Sequence, residues 1–408
     1  MKKLLCISMA LLLVLSGISV VFASETPKTI AAVSNTDSTT ASAIGSTSDS
    51  SITIVPDMNF TGTPIKLSLQ DSYTKILGNS PGKTVADYNK QNALAISKGY
   101  YESVQDINSV NKIDDPLTST SKKYREIQRA LRDYAAKMAD PNYQAELNKL
   151  KVDTLTNYYQ LKQLEDLEKI AKENLNLKEK LLSNTQLKFK LGTVSKSDVL
   201  QAESAVLKAK DELNTAQNNL RNKKMAFNTF MGYSLMQNVT LTDTLKQVDL
   251  PTKTLESSIK DALENRNEIK AAEFGLQYAL LDFNISKDLP ETSSTYLKKK
   301  VAIVKAEKAK KDAYDGVEMD IRSKYMDMHQ KYSAVTTGTK TVENAREGLR
   351  LTQLQYDAGM ITLTAVNEAQ IAYNQSQVAL SNNMLDYNLS VEAYNYASGV
   401  GTTTAPIQ

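Results

Sequence analysis

Residues 189–205 read FKLGTVSKSDVLQAESA, and residues 356–372 read YDAGMITLTAVNEAQIA. The glycine, the β-branched residue two places after it and the run of small residues recur in the same order. Neither stretch has the composition of a catalytic loop. A glycine just past a helix end takes the left-handed backbone conformation without a Cβ penalty. Gly192 and Gly359 therefore each predict the end of one helix. Ser195 is placed to cap the next helix, and Asp198 follows three residues later, where an acid favours the positive helix end. After Gly359 the cap falls to Thr362 or Thr364. Each stretch reads as the tip of a helical hairpin.

The repetition extends outward from the tips. The interval from Gly192 to Gly359 is also the interval from Gly232 to Gly399. Without a gap, Thr185, Gln186, Leu187, Val199, Ala202, Ala205, Leu213, Ala226 and Asn228 match Thr352, Gln353, Leu354, Val366, Ala369, Ala372, Leu380, Ala393 and Asn395. Phe189/Tyr356 and Phe227/Tyr394 are conservative pairs. A weaker match opens each unit, SLQDSYTKILGNSP from residue 68 and TLESSIKDALENRN from residue 254, and the first unit has the longer middle. The chain is two copies of one long unit. Two copies are too few for a solenoid, so closure falls to oligomerisation or to the pair wrapping together.

The spans flanking the tips are rich in Ala, Leu, Lys, Glu, Gln and Asn and poor in Pro and Gly, with Pro141 as an exception. They predict helices over about 152–191 and 298–358, about 60 and 90 Å long. Helices of this length imply a coiled coil or an elongated bundle. Val199, Ala202, Val206, Ala209, Leu213, Ala216 and Leu220 recur in alternating steps of three and four, a heptad seam.

The rest of the 408-residue chain bounds its class. Lys2 and Lys3, the apolar run from Leu4 to Phe22 and the small-residue site at Ala23 predict a signal peptide over 1–23. Residues 24–66 read as a Ser/Thr-rich linker and a short extended segment broken by Pro56 and Pro64. The first repeat spans 67–235, a linker 236–254, the second repeat 255–399 and a tail 400–408. Beyond the signal, no apolar run is long enough to cross a bilayer as a helix. Cys6, the one cysteine, lies inside the signal. With 49 basic and 46 acidic residues, no nucleic-acid partner is implied. The lysines from Lys298 to Lys311 read as a solvated helix face. His329 is the sole histidine, which leaves no Ser-His or zinc constellation, so no enzyme, cofactor or metal site is expected.

With the signal, the two opening segments LQDSYTKILGNSP and LESSIKDALENRNEI, the two tips and the closing helices FNTFMG and YNYASG, the sequence resembles the TolC family of outer-membrane efflux proteins. The likeness runs over nearly all of 67–399. It implies an all-α fold of two tandem helical hairpins, a homotrimer whose repeats form a helical tunnel, and docking onto a periplasmic adaptor and a membrane transporter through Gly192, Thr193, Val194, Ser195, Gly359, Met360, Ile361 and Thr362. Tyr356, Asp198 and Glu368 stand at positions that close or ring the pore in the family. For Asp198 the capping role stands beside the gating one, and for Glu368 a solvated face.

Two departures accompany the resemblance. The arginine of the family's closing network falls at Ile361. Ser103–Tyr124 and Ser286–Tyr296, where membrane strands would lie, neither alternate nor have room for two spanning strands each. Little or no β-barrel is expected. The chain is thus expected to be exported to the cell envelope, at an outer membrane if the cell has one. There it acts as an efflux conduit or, alternatively, as an exported tethering coiled-coil protein without a channel.

Overall fold

The computed structural model describes residues 59–113 and 119–407. The signal, the linker up to residue 58 and part of the Ser103–Tyr124 loop lie outside the described residues. The elements in order are β1 Thr61–Leu67, α1 Leu69–Gly78, α2 Pro81–Ile113, α3 Ser119–Lys190, α4 Lys196–Met231, β2 Gln237–Leu241, α5 Leu255–Asn265, α6 Asn267–Ser286, α7 Ser294–Asp357 and α8 Leu363–Ala397.

Both long helices exceed their predicted reach. α3 has 72 residues and α7 has 64, about 110 and 95 Å in length. α3 starts well before 152 because its first half has an apolar stripe of its own: Ile127, Tyr134, Met138 and Ala145 are buried. Pro141 lies inside it. A proline there removes one ladder hydrogen bond, and packing on both sides outweighs that loss.

The helices pack in two tiers. Toward the tips, α4 packs on α3, α3 on α8 and α8 on α7. Away from the tips, α2 packs on α3, α3 on α6 and α6 on α7. α3 and α7 run through both tiers, and α2 and α6 take over from α4 and α8. Each tier is an open row of four helices. The predicted seam is the buried stripe of α4: Val199, Ala202, Val206, Ala209 and Leu220 are buried, and Leu213 and Ala216 are half-buried.

Each repeat has its own core, near the level where the tiers meet. In the first, Tyr158, Leu161, Phe227 and Met231 pack with Leu67, Val239 and Leu241. Burial of a side chain such as Phe227 stabilises by about 1.5–3 kcal/mol. In the second, Ile321, Met328, Tyr387 and Tyr394 pack with Ala262 and Ile269. The repeat is visible in the ring pairs: Tyr158 lies 6.4 Å from Phe227, and Tyr325 5.7 Å from Tyr394. Ser72 and Ser258 are buried at matching places, and Ser258 Oγ accepts from the Tyr394 hydroxyl at 2.8 Å.

Three findings refine the sequence reading. First, a small sheet accompanies the mainly helical fold that was expected. β1 and β2 form a two-stranded parallel sheet, with an irregularity between Thr61 and Ile65. Pro64, which has no N–H to donate, sits in that irregularity, where a ladder bond is not required. Second, the 236–254 segment is more than a linker. β2 joins the first core, and Val248 and Leu250 pack on the second. Asn388 holds it there, donating to Lys246 O at 2.7 Å and accepting from Val248 N–H at 3.2 Å. Third, the helix ends at Gly232 and Gly399 differ. Gly232 has φ 72° as a left-handed cap, whereas α8 ends on Ser398 and the positive φ falls on Gly401 at 80°.

The tail is held too. Asn142 donates to Ala405 O at 2.8 Å and accepts from Ala405 N–H at 2.7 Å, while Asn267 donates to Thr403 O at 3.0 Å. Little or no barrel was expected, and among the described residues α6 ends at Ser286 and α7 starts at Ser294 with no strand between. Among the described residues, no helix is long and apolar enough to cross a membrane.

Candidate functional site at the hairpin tips

Both tips reverse the chain as their glycines dictate. Gly192 and Gly359 have φ of 72° and 75°, and a Cβ at either would meet open space. The glycine requirement is therefore one of backbone conformation alone. Gly192 N–H donates to Phe189 O and Thr193 N–H to Lys188 O, while Gly359 N–H donates to Tyr356 O and Met360 N–H to Gln355 O. The two loops close through the same pair of bonds.

The next helix starts on a hydroxyl in each case. Ser195 Oγ accepts from Asp198 N–H, and Asp198 Oδ2 accepts from Ser195 N–H at 2.9 Å and from Ser195 Oγ at 2.7 Å. This is a full capping box, and Asp198 serves the cap. In the second tip the cap is Thr362 rather than Thr364, and its Oγ1 accepts from Ala365 N–H at 3.4 Å. Gly192, Thr193, Ser195, Gly359, Met360 and Thr362 are exposed, and Val194 and Ile361 half-exposed. Glu368 is exposed on α8.

Tyr356 lies elsewhere. It is 5% exposed, in an apolar cluster with Ala202, Leu363 and Val366 that draws on Leu181, Leu182 and Ile361. Its hydroxyl is 3.3 Å from Thr185 Oγ1, and its carbonyl accepts from Lys188 Nζ at 2.7 Å. The same ammonium lies 3.8 Å from the Tyr356 ring centroid and 3.7 Å from Asp357 Oδ1. Three of the predicted residues are thus kept apart in role: Tyr356 bonds to α3, Asp198 to its own cap, and Glu368 faces solvent. Ile361, at the position of the expected arginine, is an apolar member of the Tyr356 cluster. The cation beside the tyrosine is Lys188, from the other hairpin.

Lys188 was missed in the sequence. Its signal was weak: it lies one residue before Phe189, and the matching position in the second tip is Gln355. A second cation nearby, Lys178, is pushed below its ordinary pKa by burial and donates to Asn367 Oδ1 at 3.0 Å. It is a second tie between α3 and α8. His329 packs partly buried with its ring 4.4 Å from that of Tyr325.

The outer helices of the tip tier carry exposed leucines at one level. Glu212 bonds Asn174, so Leu207, five residues nearer the tip on α4, is level with Glu179 on α3. A cleft lined by Lys180, Tyr373, Leu349 and Gln353 ties that level to Leu351 on α7. Leu207 is 67% exposed and Leu351 46%.

Residues 85–232 match the family of outer membrane efflux proteins. That match covers most of the first repeat, from within α2 to the glycine after α4, and bears out the resemblance to TolC-family efflux proteins. No curated protein matches the chain in sequence. Among solved structures, the chain is similar to the outer membrane protein VceC of Vibrio cholerae, at 15% identity and a TM-score of 0.61, covering 82% of this chain and 97% of that one. It is similar to the CmeC outer membrane channel of Campylobacter jejuni, at 15% identity and a TM-score of 0.63, covering 82% and 86%. The open-state MtrE outer membrane channel of Neisseria gonorrhoeae matches at 14% identity and a TM-score of 0.58, covering 83% and 90%. At these identities the likeness is one of fold, and the fold is that of outer membrane channels.

Proposed function

We propose that this chain is an efflux conduit of the cell envelope. Copies of it close into a helical tunnel, as a homotrimer, with the tips docking on an adaptor and a membrane transporter. The observation that carries the reading is the open row α4–α3–α8–α7. Its two ends have exposed leucines at one level, Leu207 on α4 and Leu351 on α7. A row with matching free ends either stays open to water or closes on further copies, and head-to-tail contacts of this kind generate rings. The efflux-protein family match and the channel folds of VceC, CmeC and MtrE support the second course.

The exposed faces of Gly192–Ser195 and Gly359–Thr362 are the surface offered to the adaptor. In this reading Tyr356 and Lys188 hold the two tips of one copy together. The carboxylates of Glu368 and Asp198 bias the pore toward cations. Cross-linking tests the conduit. Leu207→Cys with Leu351→Cys in the full chain should give disulfide-linked species of up to three copies on oxidation, and neither single variant should. If the doubly substituted chain remains a single-copy species, the conduit falls and the tethering alternative takes its place.

A further inference from the structure

The tier away from the tips has free ends of its own. The α2 face that meets α3 bears the buried Ala86, Ala93 and Val104. At 3.6 residues per turn, Tyr88, Glu102 and Asp106 fall on the opposite side. The α7 face that meets α6 bears Ile303, Val317 and Ile321. Val301, Lys305 and Met319 fall opposite it. Tyr88 is 65% exposed and Met319 68%.

The hydrogen bonds across the row give the level of each. Asn89 bonds Glu146 and Lys90 pairs with Asp140, so Tyr88 stands beside that stretch of α3. Asn142, within it, bonds Asn267. Arg266, next to Asn267, pairs with Asp320. Tyr88 at one end of the row is therefore level with Met319 at the other. Higher up, Asn108 bonds Arg125, Lys123 bonds Asp288, and Lys299 pairs with Asp282. That band holds the acids Glu102 and Asp106 on α2 and the lysines Lys298 and Lys305 on α7. Among the described residues, Lys298 and Lys305 pair with no acid, Lys308 is paired with Asp312 at 2.5 Å, and Glu102 reaches Lys98 only at 3.9 Å. The two ends thus match in apolar residues at one level and in opposite charge at another. An α2 edge meeting another α2 edge would set acid against acid.

We infer that the partner of the α2 edge is the α7 edge of a second copy of this chain. The tier away from the tips then closes as a helical collar on the same ring as the tip tier. The inference rests on the conduit reading, because the ring order is the same in both tiers. It adds that the end opposite the tips is sealed by helix against helix.

The test is Tyr88→Cys with Met319→Cys in the full chain, run beside the Leu207/Leu351 pair, with helicity measured to confirm folding. Inter-chain disulfides through both pairs are expected. Reversing Glu102 and Asp106 to Lys should lower the Tyr88/Met319 yield about fivefold, as two exposed ion pairs imply. Adding Lys298→Glu and Lys305→Glu should restore it. Cross-linking at Leu207/Leu351 with none at Tyr88/Met319 would overturn the collar and leave the conduit standing. A single-copy species throughout would overturn both. Flotation of the chain with phospholipid vesicles, with the Tyr88→Cys thiol shielded by lipid, would assign the edge to a membrane and also overturn the collar.

Discussion

Phe189 and Tyr356 occupy the same place in the two repeats, three residues before the tip glycine. Phe189 is 41% exposed and Tyr356 is 5% exposed. The backbone around them is nearly the same, with a left-handed glycine, the same loop hydrogen bonds and a hydroxyl cap. What differs is the neighbour. The ring of Tyr356 is enclosed by residues of both hairpins, whereas Phe189 has the Lys196 ammonium 5.9 Å away and solvent beyond. Duplication copies a local conformation and then lets each copy meet a different environment. The repeated backbone makes the hairpin, and the unrepeated contacts distinguish the two tips.

Truncation should split this pair most widely. Tyr356→Ala should destabilise by about 3–4 kcal/mol through loss of a buried ring, whereas Phe189→Ala should cost under ~1 kcal/mol. Denaturant melts of the two variants decide it, and equal losses would break the distinction. Next comes Lys188→Ala, expected to cost about 1–2 kcal/mol from the charged hydrogen bond to Tyr356 O and the ring contact. The corresponding Gln355→Ala should be near neutral in the same melts. Gly192→Ala and Gly359→Ala probe what the tips share. Each should cost about 1 kcal/mol, and by the same amount, because only backbone strain is involved. A large difference would point to a side-chain contact at one tip. Ser195→Ala should cost about 1 kcal/mol and Thr362→Ala about half that, since only the first is part of a capping box. Hydrogen exchange at the first turns of α4 and α8 reads this directly. Glu368→Gln should change stability by less than ~0.5 kcal/mol, so any change it makes in ion passage is not a folding effect.

The legible part of this molecule was the part that local chemistry dictates. Gly192, Gly359 and Ser195 specify their roles from the backbone outward, and the three-four spacing on α4 specifies its buried side. The second cap needed the structure, because Thr362 and Thr364 are both competent. Lys188 was out of reach because its role depends on which hairpin lies next to it. The anchoring of the tail was not legible, because isolated asparagines such as Asn142 and Asn267 pair with backbone without leaving any periodic pattern. The sheet was missed because β1 and β2 are short, far apart in sequence and irregular at Pro64. The early start of α3 was not legible because Pro141 interrupts the helical composition there, whereas packing on either side carries the helix through it.

The wider contrast lies at the other end: among the described residues α2 runs as helix to Ile113, α3 from Ser119, and no strand stands between α6 and α7. In the tip tier the chain follows a plan of long paired hairpins, within the fold it shares with outer membrane channels. Beyond the central sheet it continues with helices, and the same two long helices, α3 and α7, form the backbone of both rows.

The central claim is that the open row closes on copies of itself. Sedimentation of the purified chain across a wide concentration range, with imaging of the particles end-on, tests it most directly. The account predicts a discrete species with the mass of three copies and a ring with a central opening. A single-copy mass at every concentration, or filaments with no opening, would contradict it.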